Sequence, residues 1–292
     1  MRRATSLNGL FIVFVLMFSA EAWAQWSIGQ PGTREPREGQ NRYAYLVMSD
    51  PQPGKEWDFN DGYQNVHMGD LVQLPGWNGA QRFRLVPVTP RETKPLYRRG
   101  NLIIWDQEGN DLAMLQSESR NAIAGGKSRL IPGFDYSPDG PVSVTYQVIG
   151  ARNSRPDGRK PFIPEFSDNK TPRPNRYIKL DFVEPDAGVP EAAFETSLAS
   201  HVNEVLALPG WMAAQRFRLP ALLPGVTVPR LTFTKYLVVW ETEGMNAQDL
   251  QNAIADAIKT GKVKALAADK EKAQSSWWVT TSPHIDKDDF LR

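Results

Sequence analysis

One block of the sequence occurs twice, and this repeat constrains the fold more than any other feature. Residues 67–85 read HMGDLVQLPGWNGAQRFRL, and residues 201–219, which begin 134 positions later, read HVNEVLALPGWMAAQRFRL. Eleven of the nineteen positions are identical without a gap. Two shorter matches occur at nearly the same offset. The tripeptide NRY occurs at 41–43 and again at 175–177, and an aliphatic residue and Trp followed by Glu-Gly occur at 104–109 and again at 239–244. The repeat indicates one module duplicated within one chain.

Both copies show the same order of predicted elements. In the second copy we predict strands at 177–183, 212–219, 235–241 and 277–280 and helices at 190–208 and 246–259. In the first copy the corresponding strands are 43–48, 79–88, 101–106 and 142–148, and the helices are 59–74 and 111–124. This βαββαβ order is that of a ferredoxin-like unit, so the predicted fold class is α+β. Because such a sheet carries helices on one face only, we expect the two units to form a pseudo-dimeric α+β barrel, with two separate domains on a linker as the alternative.

The N-terminus has the pattern of a secretory signal peptide at residues 1–24. Arg2 and Arg3 precede an apolar run at 10–19, and AWA at 22–24 resembles a cleavage site; an uncleaved anchor is the alternative. We then expect a polar arm at 25–40, a first module at 41–149, a linker rich in proline and charge at 150–174, a second module at 175–283 and a tail at 284–292. The chain is therefore predicted to be periplasmic or secreted, with no membrane association after cleavage.

Composition excludes several function classes. The sequence has no cysteine, which rules out disulfides, thiolate chemistry, iron–sulfur clusters and cysteine zinc sites. Without the signal, 32 basic and 32 acidic residues remain, a balance that argues against a nucleic-acid partner. No phosphate loop, dinucleotide fingerprint or serine nucleophile elbow is present, and we predict no cofactor.

The repeated block resembles the EthD-like family of the dimeric α+β-barrel superfamily. The resemblance rests in the first module on Phe59-Asn60, Tyr63, His67, LPGW at 74–77 and AQRFR at 80–84, and in the second on His201, LPGW at 208–211 and AQRFR at 214–218. It implies a small-molecule cavity in each module, and some relatives act as cyclases or dehydratases on polyketide or aromatic substrates. The second module departs from the pattern. Ser197 stands at the tyrosine position, and Phe194-Glu195 lies one residue later in register than Phe59-Asn60.

His67, His201 and Tyr63 are the predicted catalytic residues. Each histidine shares a helical face with apolar residues four and seven positions later, and a near-neutral pKa suits acid–base work. The alternative is a buried histidine that hydrogen-bonds a backbone carbonyl. Tyr63 lies one turn before His67 and could orient a ligand, or it could fill the core. One histidine per module without a second ligand at metal spacing predicts no metal site.

Four arginines and two tryptophans are the predicted ligand-binding residues. Arg82 and Arg84 alternate with a phenylalanine along a strand, as do Arg216 and Arg218, so each pair shares one face. Such pairs are anchors for a carboxylate or another anion, and an ion pair with a carboxylate such as Glu241 on the adjacent strand is the alternative. Trp77 and Trp211 follow Pro-Gly helix stops and are either ligand contacts or core residues. His284 stands in a polar tail and is expected to be solvated.

These features predict an exported small-molecule-binding protein with an apolar or aromatic ligand. It would be a cofactor-free lyase or cyclase if a helix histidine acts as the acid–base group. The alternative is a non-catalytic binding or accessory protein that keeps only the fold. A heme-binding barrel is less favoured, because an axial histidine is not expected on this helix motif.

Overall fold

The computed structural model describes residues 39–89, 99–137, 140–154, 176–220, 233–282 and 285–286. The predicted signal peptide, nearly all of the arm, most of the linker and His284 lie outside these ranges. Over the described ranges, none of the helices has the length and apolar character needed to cross a membrane.

Strands and helices follow the predicted order in both halves of the chain. The first half contains β1 Asn41–Ser49, α1 Glu56–Gly62, a π-helical turn Tyr63–His67, α2 Met68–Val72, β2 Trp77–Val86, β3 Asn101–Gly109, α3 Leu112–Ala124 and β4 Val142–Val148. The second half contains β5 Asn153–Ser154, β6 Arg176–Val183, α4 Glu191–Leu206, β7 Trp211–Arg218, β8 Tyr236–Glu243, α5 Ala247–Lys259, β9 Gln274–Thr280 and β10 Ile285–Asp286. Asp111 and Asn246 cap α3 and α5 by accepting backbone N–H groups.

Eight of these strands form one closed antiparallel barrel. Their order is β2-β3-β1-β4-β7-β8-β6-β9, and β9 pairs with β2 to close the circle. The two halves are joined by hydrogen bonds at both contacts, β4 with β7 and β2 with β9. The alternative of two separate domains is therefore wrong, and the two halves of the chain form one closed α+β barrel. The short strands β5 and β10 extend the sheet beside β7 and β2.

Strand alternation separates three apolar cores. Inward-facing residues such as Leu46, Phe83, Leu180 and Phe217 fill the barrel interior. The outward faces of the strands pack against helices, with one core in each half of the chain. Because the interior is filled by apolar side chains from both halves, it is a packed core.

Two ion pairs are buried at one end of the barrel interior. Arg42 of β1 pairs with Asp106 of β3, and their side chains are 0% and 7% exposed. In the second half, Arg152 pairs with Glu241 of β8. Asp106 and Glu241 both follow a core tryptophan directly and face inward by alternation with the apolar interior positions.

A left-handed glycine ends the first helix of each half. Gly76 and Gly210 have φ angles of 75° and 83°, a backbone conformation that glycine adopts without strain. The carbonyl of Gly76 accepts the Glu108 backbone N–H at 2.8 Å, and the carbonyl of Gly210 accepts that of Glu243 at 2.9 Å. The Pro-Gly turn thus ties the helix end to the edge of the neighbouring strand.

We expect Gly76→Ala to destabilise the protein more than Gly126→Ala, by about 1 kcal/mol or more, because overpacking adds to backbone strain. A Cβ at position 76 would lie 2.7 Å from the Glu108 carbonyl oxygen, a backbone atom that cannot move aside. Gly126 has a similar φ of 70°, but a Cβ there would meet no atom of the described ranges within 4 Å, so this variant isolates the strain alone. Urea unfolding of both variants measures the difference, and equal losses would show that the turn is not tightly packed.

Candidate functional site

The helix that carries His67 contains a π-helical turn, whereas its counterpart in the second half does not. The Met68 N–H donates to the Tyr63 carbonyl five residues earlier, and α4 is a regular α-helix of 16 residues. Phe59 precedes His67 by eight residues, but Phe194 precedes His201 by seven. The π turn therefore accommodates one additional residue, which explains the register difference between Phe59-Asn60 and Phe194-Glu195. π-helical turns are found frequently at functional sites.

Both histidines bind the loop that follows the second helix of their half. Nδ1 of His67 lies 3.0 Å from the carbonyl oxygen of Arg129, and Nδ1 of His201 lies 2.8 Å from that of Lys264. A carbonyl only accepts hydrogen bonds, so Nδ1 carries the proton in each neutral ring. The alternative to a catalytic role was a buried histidine that hydrogen-bonds a backbone carbonyl. That hydrogen bond is present at both rings.

A carboxylate three residues after each histidine completes this contact. Asp70 accepts the backbone N–H of Arg129 at 3.0 Å, and Glu204 accepts that of Lys264 at 2.6 Å. Each helix therefore holds the N–H and the C=O of a single loop residue. We call this pair of contacts, His67 with Asp70 or His201 with Glu204, the loop clamp.

Burial sets the charge of the two imidazoles. It lowers the pKa of His67 and of His201, against the smaller opposing effect of the carbonyl hydrogen bonds. The rings are consequently neutral at neutral pH, with the lone pair on Nε2. His67 also packs edge-on against Tyr63 and Trp105, and His201 against Trp240. An acid–base role for either ring stays a prediction.

Tyr63 and Phe59 enclose the guanidinium of Arg82. The Arg82 Cζ lies 5.2 Å from the Tyr63 ring centroid and 5.4 Å from that of Phe59. Burial raises the pKa of the Tyr63 hydroxyl, so this group stays protonated at neutral pH. Tyr63 therefore acts here as an aromatic wall beside a cation.

Arg82 is buried and its charge is not neutralised by any carboxylate of the described ranges. The residue is 5% exposed, and burial lowers the pKa of its guanidinium to about 10. Its two terminal nitrogens donate to the carbonyl oxygen and the Oδ1 of Asn60, at 3.2 and 2.6 Å. Its Nε is buried without a hydrogen-bond partner in the same part of the chain. Asn60 satisfies two donors but supplies no negative charge.

Arg82 lies at the wall of an open cleft between the π turn and β2. The cleft has a volume of ≈ 350 Å³ and is lined by Trp57, Asn60, Asp61, Gln64, Asn65, Arg82, Arg84 and Thr281. This size is within the range of small-molecule sites. Trp57 is 81% exposed at the rim, and Gln64 Oε1 is buried without a partner among the described atoms. The arrangement can hold an anion against the arginines and a flat apolar group against the indole. We call it the Arg82 cleft.

The corresponding arginines of the second half lie beside carboxylates of the helix. Arg218 donates to Glu191 at 2.8 Å and to Glu195 at 3.4 Å. Burial lowers the pKa of Arg216, and the negative charge of Glu195 opposes this effect. The alternative of an ion pair with a carboxylate therefore holds for Arg218, but the partner is not Glu241, because Glu241 faces the barrel interior and the arginines face the helices across the same sheet.

Trp77 and Trp211 lie in the two helix–sheet cores. They are 1% and 0% exposed, and each contacts the tryptophan of the neighbouring strand edge-on, with centroids 5.2 Å apart for Trp77 and Trp105 and 5.1 Å for Trp211 and Trp240. Neither lines the Arg82 cleft. The structure thus brings Arg82 together with Tyr63, places Arg82 and Arg84 along one cleft, and leaves both tryptophans in the core.

Sequence reasoning did not single out Trp57, Asn60 and Gln64 as site residues. The available signal was the register difference at Phe59-Asn60, which marks the extra residue of the π turn. Within the ranges that the structure describes, no group of histidine and acidic side chains is arranged to hold a metal ion.

Comparison with known proteins gives only distant likenesses. No family model matches the sequence, and no curated protein does. Among solved structures, an anthrone oxidase-like protein has a TM-score of 0.49 and 13% identity, over 85% of this chain and 94% of the other. A variant of chlorite dismutase from Candidatus Nitrospira defluvii has a TM-score of 0.43 and 13% identity, over 82% and 92%. Likenesses this distant assign no activity to the Arg82 cleft.

Proposed function

We propose that this chain is an exported, EthD-like binding protein that holds a small anionic molecule in the Arg82 cleft. The observation that carries the proposal is the buried, unneutralised guanidinium of Arg82 at the wall of a cleft of ≈ 350 Å³. Export is proposed from the signal-like residues 1–24. A tandem duplication of a ferredoxin-like unit is proposed from the repeat and from the matching loop clamps.

The electrostatics of Arg82 favour an anion over a neutral ligand. Removing a charged group from water is costly unless it is both hydrogen-bonded and paired with an opposite charge. Asn60 provides hydrogen bonds, and the faces of Tyr63 and Phe59 provide weak cation–π attraction. A bound anion beside the guanidinium would supply the missing charge.

The lining of the cleft favours binding over catalysis. A cofactor-free lyase or cyclase that uses a helix histidine needs that ring at the ligand, and His67 does not line the Arg82 cleft. Its Nδ1 is occupied by the Arg129 carbonyl. Tyr63 is kept protonated by burial and so is not a base. We therefore propose the non-catalytic binding or accessory role as the function, with an apolar or aromatic body on the ligand against Trp57.

We expect Arg82→Gln to weaken the binding of a small aromatic anion at least tenfold, about 1.4 kcal/mol, because it removes the positive charge of the cleft. The probe is 4-fluorobenzoate, and its dissociation constant is measured by fluorine NMR titration. Arg216→Gln in the second half is the matched control and should bind like the native protein. The melting temperature of Arg82→Gln should not fall substantially, since the glutamine can still donate to Asn60. Unchanged affinity in a folded Arg82→Gln protein would contradict the proposal.

A further inference from the structure

We propose that the anionic group of the ligand is a carboxylate, and that Glu195 holds in the second half the position that this carboxylate takes in the first. This inference rests on the proposed function and adds the chemical class of the ligand. It also means that the second half is a closed version of the same site, so that one chain binds one ligand molecule.

Glu195 lies among the groups that would bind a ligand carboxylate. Its Oε1 accepts hydrogen bonds from Arg218 at 3.4 Å and from the Tyr236 hydroxyl at 3.2 Å. Glu191, one turn earlier on α4, accepts from Arg218 at 2.8 Å and from Lys235 at 2.7 Å. The second half thus carries its own carboxylates against Arg218.

The positions around Glu195 match those of the Arg82 cleft. Asn60 directly follows Phe59, and Glu195 directly follows Phe194, the buried phenylalanine of each helix. Both positions precede the site of the π turn, so its extra residue does not change their correspondence. Arg84 and Arg218 occupy the same place in their strands, since Arg84 pairs in register with Asn101 and Arg218 with Tyr236. The decisive difference is therefore the side chain after the phenylalanine, an amide in one half and a carboxylate in the other.

Within the described ranges, no carboxylate forms an ion pair with the strand arginines of the first half, whereas two carboxylates pair with Arg218 in the second half. Arg84 is exposed and, like Arg82, forms no ion pair with a carboxylate of the described ranges. Asp61 also lines the cleft and keeps its negative charge, but its carboxylate is hydrogen-bonded to Asn65 at 2.7 Å and forms no ion pair with Arg82 or Arg84. A planar carboxylate with two oxygens fits a pair of arginines on one strand face. In the second half the glutamates bind Arg218, and the charge of Glu195 also acts on Arg216.

The test exchanges the distinguishing side chain between the halves and counts binding sites for 4-fluorobenzoate by fluorine NMR. The native protein is expected to bind one molecule. Asn60→Glu should weaken this binding at least tenfold, because the new carboxylate would form the ion pair with the arginines that the ligand carboxylate otherwise forms. Glu195→Asn combined with Glu191→Gln should bind a second molecule, and this second site should be lost when Arg216→Gln is added. Melting temperatures confirm that each variant is folded, and Asn60→Asp replaces Asn60→Glu if the latter is not.

The outcomes separate this inference from the proposed function. If the native protein and Arg82→Gln both fail to bind the probe, the proposed function is overturned and this inference with it. If binding depends on Arg82 but Asn60→Glu binds as the native protein does, or the opened second half gains no site, only this inference is overturned. Tighter binding of 4-fluorophenyl phosphate than of 4-fluorobenzoate would likewise overturn the carboxylate assignment.

Discussion

Asp106→Ala is expected to lower the free energy of unfolding by about 3–5 kcal/mol, because it removes one partner of the buried ion pair between Arg42 and Asp106. Both side chains are almost fully removed from solvent at the end of the barrel interior. The penalty comes from breaking an ion pair in a poorly hydrated position, where the charge of Arg42 is not stabilised by water. Domains of this kind have total stabilities of about 5–15 kcal/mol, so the loss is a large share.

Urea unfolding followed by tryptophan fluorescence measures this effect, with Asp58→Ala as the control. Asp58 pairs with Lys55 at 3.3 Å on the surface, where both side chains are about half exposed. Exposed pairs contribute about 0.2–1 kcal/mol, so the control should change stability little. A similar small loss for both substitutions would mean that water reaches Arg42 and that the pair is not buried in solution.

Alanine at either clamp histidine is expected to lower the melting temperature by several degrees, and by a similar amount at both positions. His67→Ala leaves the Arg129 carbonyl without its partner, and His201→Ala does the same to Lys264. An unpaired buried acceptor costs about 1–3 kcal/mol, which corresponds to roughly 2–4 °C per kcal/mol at this chain length. Ser128→Ala is the control for the first half, because it removes only the hydroxyl that lies 3.2 Å from the His67 Nδ1.

The same clamps predict that stability falls in mild acid. The pKa of both histidines is lowered in the folded protein from an ordinary value of 6.5, so the unfolded chain binds more protons below that pH. The free energy of unfolding therefore decreases as the pH falls below about 6.5, and it is fully retained above. Melting temperatures of the native protein and of the His67→Gln, His201→Gln double variant test this. A native protein that loses no more stability than the double variant between about pH 7.5 and about pH 5 would contradict it.

Much of the fold follows from local patterns in the sequence, whereas the site depends on contacts that these patterns do not contain. The repeat and the alternation around Phe83 and Phe217 predict the order of elements and place the arginines on the opposite face of the sheet. The partner of Arg218 could not be predicted in this way, because Glu195 lies on a helix that crosses the strand. The start of β2 at Trp77 was also missed, since a bulge between Trp77 and Gly79 breaks the alternation.

The contacts of the loop clamp could not be predicted from local sequence patterns either. The helical spacing of His67 indicates that it faces the sheet, but the sequence does not show which backbone group it meets. Arg129 lies 62 positions later, in a loop without regular structure. Only the position of the loop after α3 beside the first helix brings the two together. The spacing of residues along a helix or strand therefore predicts which face a residue occupies, but it does not predict which residue of another element that residue contacts.

An insertion in the middle of an α-helix ordinarily turns everything beyond it by about 100° and moves it along the axis by about 1.5 Å. The π turn confines that displacement to five residues, Tyr63–His67. His67 consequently keeps the carbonyl contact that His201 makes in the uninterrupted helix. The two halves can thus differ in the length of this helix while both histidine contacts are kept and the shared barrel stays closed.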